Sequence, residues 1–133
     1  MIDVQAELYT IGREAILTQY PKTEVSSTYT LQPTKFPFVS IIEGDNAVYK
    51  ATSDSARLEN HASIMIEVNI YTTGDSKQSL ARGIMAALDS KYSGLGLERI
   101  MMNPITNYND TTVYRIVARY RGIISTNKQI YRR

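Results

Sequence analysis

The chain has 133 residues, a hydrophobic fraction of 43%, a net charge of +2 and no cysteine. That length implies one domain able to bury a core without staples, and that composition excludes a disordered chain as the starting expectation. Without cysteine there are no disulfides, no thiolate metal sites and no thiol nucleophile.

The charge is unevenly spread. Residues 1–98 hold 8 Lys and Arg against 12 Asp and Glu, whereas residues 99–133 hold 7 Lys and Arg against Asp110 alone. Such asymmetry reads either as a site for an acidic partner or as a solvated basic face. The N-terminus lacks a basic start followed by an apolar run, so no signal peptide is expected, and no stretch approaches membrane-spanning length.

In chain order, Asp3 to Tyr20 predicts an amphipathic helix. Val4, Leu8, Ile11 and Ala15 share one side, Asp3 is placed to cap the start, and Pro21 ends it. Glu24 to Tyr29 is a short strand, rich in β-branched and aromatic residues. The segment from Leu31 to Pro37 is an extended connector, because its prolines exclude it from a central ladder. Phe38 to Glu43 is a strand, Gly44-Asp45-Asn46 a turn, and Ala47 to Thr52 an antiparallel return. Ser53 to Asn60 reads equally as a loop or a helical turn.

Ile64 to Tyr71 alternates cleanly: Ile64, Ile66, Val68 and Ile70 face one way, Met65, Glu67, Asn69 and Tyr71 the other. A second helix runs from about Ser76 to Tyr92, capped by Asp75 or Ser76, with Leu80, Ile84, Leu88 and Tyr92 four apart and Gly94 as the left-handed terminator. Leu97 to Met102 is a strand ended by Pro104, Asn107 to Asp110 is turn chemistry, and Val113 to Ile124 is a long alternating strand. A tail from Ser125 to Arg133 could add one more pairing. The expected order is α-β-β-β-β-α-β-β, and the expected fold is α+β, with two helices packed on one face of a mainly antiparallel sheet.

No catalytic, cofactor-binding or metal-binding set emerges. His61, the only histidine, lies in a polar connector with Glu59 and Asn60 and reads as surface or hairpin packing. Gly94-Leu95-Gly96 follows a helix, whereas a dinucleotide fingerprint precedes one. Asn107 to Asp110 lacks the glycine and distal glutamate of a calcium loop. Glu43 and Asp45 could do acid–base work but sit beside a turn that favours solvation. Ten tyrosines and no tryptophan suit protein interfaces or base stacking. In the last long strand, however, Tyr114, Ile116, Ala118 and Tyr120 alternate with Arg115, Val117, Arg119 and Arg121, which puts rings and charges on opposite faces. Arg115, Arg119 and Arg121 are the candidate interface or lumen residues. Three arginines on one face call for carboxylates or phosphate.

Across nearly its whole length the chain resembles the tail-terminator, or tail-completion, proteins of tailed bacteriophages, the minor-capsid-type neck proteins of Gram-positive phages and prophages. The resemblance rests on the N-terminal helix from Asp3, on Lys35-Phe36-Pro37-Phe38-Val39-Ser40, and on Leu58-Glu59-Asn60-His61-Ala62 leading into Glu67-Val68-Asn69-Ile70-Tyr71. It continues through Met102-Asn103-Pro104-Ile105 and Tyr114-Arg115 to Ile130-Tyr131-Arg132-Arg133. It implies a structural virion protein without catalytic residues or cofactors. Such proteins form a ring, usually a hexamer, on the head-proximal end of the tail tube, in the virion neck. They are assembled in the host cytoplasm. The partners implied are further copies of the chain, the tail-tube protein and a neck or head-completion protein, with DNA passing the lumen and no membrane. The alternatives are another head–tail connector component and, in a different class, a nucleic-acid-binding module using the basic C-terminal third. A small enzyme is the remotest reading, since no nucleophile, base and oxyanion group can be named together.

Overall fold

The computed structural model describes residues 2–28, 33–48, 61–105 and 112–125. Helix α1 spans Gln5–Gln19. Asp3 accepts a bond from the Gln5 backbone N–H (3.2 Å), and the helix stops at Tyr20, before Pro21. Its buried line is Val4, Leu8, Gly12 and Ile16, whereas Ile11 and Ala15 are only half buried. The expected stripe is therefore turned by about one residue. Gly12 is the reason: a Cβ there would lie 2.6 Å from Tyr92 Oη and 2.9 Å from Ile41 Cδ1. The missing side chain lets α1 approach its neighbours closely, so the tightest contact runs through a residue that no hydrophobic pattern marks.

Strand β1 (Glu24–Ser26) leads towards β2 (Phe38–Val48). β2 is one strand where the sequence suggested a hairpin. Gly44 sits in a register shift between Glu43 and Asp45 opposite Ile66 and Met65, and pairing then continues to Val48↔Ala62. The extra residue is absorbed as a bulge without reversing the chain. Among the described residues the order is therefore α-β-β-β-α-β-β, one strand fewer than expected. Strand β3 (His61–Thr72) alternates in burial as far as Val68, as expected, whereas Asn69, Ile70, Tyr71 and Thr72 are all buried.

Helix α2 spans Lys77–Leu95 and buries Ala81, Ile84, Met85, Ala87, Leu88 and Tyr92, with Leu80 half buried. Ser76 occupies the N-cap position without a side-chain capping bond; the nearby hydroxyl of Thr72 donates to the Lys77 carbonyl (2.7 Å). The left-handed terminator is Gly96 (φ 104°), and Gly94 lies inside the last turn. The Leu97 N–H reaches back to the Tyr92 carbonyl (3.1 Å), as in a Schellman closure.

Strand β4 (Glu98–Ile105) includes Pro104, paired with Ile116, where a strand end was expected. An edge strand tolerates proline because its missing N–H can face outward. Strand β5 (Tyr114–Ser125) completes a sheet of order β1-β2-β3-β5-β4, antiparallel except for β1 with β2. Both helices pack on the face formed by Val39, Ile41, Ile64, Ile66, Val68, Ile70, Ile116, Ala118 and Tyr120, in one continuous core. The fold is α+β, as expected. The expectations for Ser53 to Asn60, Asn107 to Asp110 and the tail after Ser125 lie outside the described residues, as do Tyr29 of the first strand, Leu31 and Gln32 of the connector, and residues 49–52 of the expected return strand. None of the described helices is long and apolar enough to cross a membrane.

Candidate functional site

The face of the sheet opposite the helices carries the arginines. Register dictates this: β5 residues opposite Ile66, Val68 and Ile70 are Tyr120, Ala118 and Ile116, so the residues between them point away from the core. Arg115, Arg119 and Arg121 thus share one face, as the alternation predicts.

Each has a partner in the same sheet. Arg119 lies opposite Glu67, and its Nη2 stands 3.3 Å from Glu67 Oε1. Arg121 lies opposite Glu98, with Nη2 3.5 Å from Glu98 Oε2. Arg115 donates from Nη2 (2.7 Å) and Nε (3.2 Å) to Asn69 Oδ1, and its guanidinium stacks 5.4 Å from the Tyr71 ring centre. The mutual repulsion expected of three arginines is answered within the sheet by β3 and β4. Arg119 and Arg121 remain exposed, so their pairs are weakly held and screened by salt.

Three of the described tyrosines are placed otherwise than an interface role suggests. Tyr71, Tyr92 and Tyr120 are among the largest fully buried side chains. Tyr92 donates to the Leu8 carbonyl (2.7 Å), tying α2 to α1, and meets Tyr120 edge to face at 5.3 Å. Tyr120 donates to Asp89 (2.7 Å), which Arg99 pairs at 3.2 Å. Burial, before any neighbouring charge, pushes both hydroxyls far above their ordinary ionisation range. Their polar tips serve the core, a role that composition cannot distinguish from surface use.

The two edges of the sheet are unlike. At one side, β1 covers only Phe38, Val39 and Ser40 of β2. Beyond it, Asp45 is exposed and Glu43 half buried, with Asp3 close enough to act on Glu43. The Glu43 carboxyl is pushed up first by burial, then by Asp3 and Asp45, with a hydrogen bond from Asn46 opposing the rise. At the other side, β4 is exposed along most of its length, and the exposed large apolar side chains of the described residues, Ile100 (42%) and Ile105 (37%), both lie on it.

His61 opens β3, half buried and opposite Ser125. Among the described residues no group of three or more His, Asp or Glu is arranged to hold a metal ion. Gly94-Leu95-Gly96 is the end of α2. The features that sequence reasoning missed are Gly12, the Tyr92–Leu8 bond and the Tyr120–Asp89–Arg99 chain. All join residues far apart in sequence, and only Gly12 leaves a local trace, as a gap in a hydrophobic stripe.

Comparison with known proteins finds no family model that matches the chain and no match among curated proteins.

Proposed function

We propose that the chain is a tail-terminator protein: a structural virion component that forms a ring on the head-proximal end of a phage tail tube, stops tube growth and mediates head–tail joining. The sequence resemblance supplies the family. The observation that carries the reading is the pair of unlike sheet edges, an acidic one at β2 and an exposed, partly apolar one at β4. A closed ring needs a heterologous interface, with two different patches on each subunit, and sheet edges are natural patches because their free N–H and C=O groups accept another strand. The α+β layering agrees with a terminator better than with neck components that are all-β or mainly helical. Among the described residues, the arginines of the basic strand have partners within their own sheet, which weakens the nucleic-acid reading.

Electron microscopy of assembled particles carrying a labelled copy of the chain tests the proposal. A symmetric ring at the head-proximal tip of the tube is expected, together with overlong tails unjoined to heads when the gene is removed. A single copy bound at one site, or a stacked filament, overturns it.

A further inference from the structure

The two edges have matching lengths, opposite strand directions and unlike charge. β2 has 11 residues, of which three pair with β1, leaving the eight from Ile41 to Val48 without a partner on that side among the described residues. β4 also has 8 residues and pairs with β5 alone in the strand order. β2 is antiparallel to β3, β3 to β5 and β5 to β4, so β2 and β4 run in opposite directions. A second copy set beside β4 in the same orientation therefore presents its β2 antiparallel, the pairing with better hydrogen-bond geometry.

The charges fit the same arrangement. The free stretch of β2 contains Glu43 and Asp45 but no lysine or arginine, and Asp3 lies nearby. The β4 side shows Arg99, with Arg119 and Arg121 behind it on β5; their pairs with Asp89, Glu67 and Glu98 are at least partly exposed and weak enough to be exchanged for carboxylates of a second copy. Ile100 and Ile105 add apolar area that water would otherwise cover. β1 fills the first part of the β2 edge, so an entering β4 must sit displaced along the strand direction. A displacement of this kind is what a tilted sheet needs in order to close on itself. Pro104 withholds one donor, which restricts indiscriminate pairing at this edge.

We propose that the outer edge of β4 receives the free half of β2 from a second copy of this chain, so that the sheet runs on from subunit to subunit. This rests on the ring reading above and names its subunit contact.

The test uses engineered cysteines in a chain that has none. Ala47→Cys with Ile100→Cys, and separately Asp45→Cys with Ile105→Cys, place thiols on both edges in two staggers. Within one chain β2 and β4 are three strand spacings apart, roughly 14 Å, too far for an internal disulfide. Oxidation of concentrated protein is expected to give a ladder of covalent species above the dimer from at least one double variant, while each single variant stops at dimer. Asp45→Lys in the first double variant should abolish the ladder with an unchanged melting curve. Oligomers seen by sedimentation with no ladder from either pair overturn the edge contact and leave the ring reading standing. A ladder that builds open filaments supports the edge contact and overturns the ring. A chain that stays monomeric and forms no ladder even on tail tubes overturns both.

Discussion

The two faces of the sheet are built from the same strands and held by different physics. On the helix side, Ile64, Ile66, Val68 and Ile70 are 0–1% exposed. Burying such a side chain is worth about 1.5–3 kcal/mol. On the other side, Glu67 meets Arg119 across the strands in an exposed pair of a kind worth about 0.2–1 kcal/mol. One face supplies stability. The other adds a smaller apolar cluster of Phe38, Tyr71 and Val113 and keeps Arg119 and Arg121 in water, where they remain open to a partner. Even there the division is partial, because Ser40 and Asn69, opposite one another, are fully buried.

The sharpest way to break this contrast is on the helix side. Leu88→Ala empties a fully buried site under the sheet and should cost about 2–5 kcal/mol, read as a lower denaturation midpoint in urea. A cost under 1 kcal/mol would mean that the helix face is not the main source of stability.

A smaller effect is expected where α1 crosses α2. Gly12→Ala drives a methyl group towards Tyr92 Oη and should cost about 1–3 kcal/mol, despite alanine's better helix propensity. Tyr92→Phe removes the bond to the Leu8 carbonyl and should cost about 1–2 kcal/mol. The two changes should be non-additive, with Gly12→Ala cheaper once the hydroxyl is gone; a double-mutant cycle in urea measures the coupling. Strict additivity would show that the close approach is not what limits this position.

The smallest effect belongs to the open face. Arg119→Gln should shift stability by less than about 1 kcal/mol, and less still at high salt. Replacing Arg115, Arg119 and Arg121 together by glutamine separates folding from assembly. Near-normal melting with lost tail joining assigns the face to a protein partner. Normal assembly with altered DNA ejection assigns it to the lumen, and no change in either leaves a solvated face.

Much of this architecture was legible as periodicity. The alternation of Ile64 to Tyr71 and of Tyr114 to Ile124, the four-residue repeat of Ile84, Leu88 and Tyr92, and the stop at Pro21 are local properties of the chain, and local sterics express them wherever the segment sits. The shared face of Arg115, Arg119 and Arg121 follows from the same period of two.

What the tertiary structure decided depends on neighbours. Gly44-Asp45-Asn46 has turn composition, yet β3 offers a continuous ladder through Ala62, and pairing the backbone across a bulge satisfies more N–H and C=O groups than reversing there. Pro104 stays in a strand because, among the described residues, only β5 lies beside it. Gly96 takes the left-handed position in place of Gly94 because α2 runs on until the Leu97 N–H reaches the Tyr92 carbonyl. The partners of the arginines, Glu67, Glu98 and Asn69, come from strands whose register no single segment encodes. Sequence alone determined which strand residues share a face, because side-chain direction is set within a few bonds. Strand order, bulges and pairings were decided by the packed sheet, because they are settled by competition among segments distant in the chain for the same hydrogen bonds and the same dry surface.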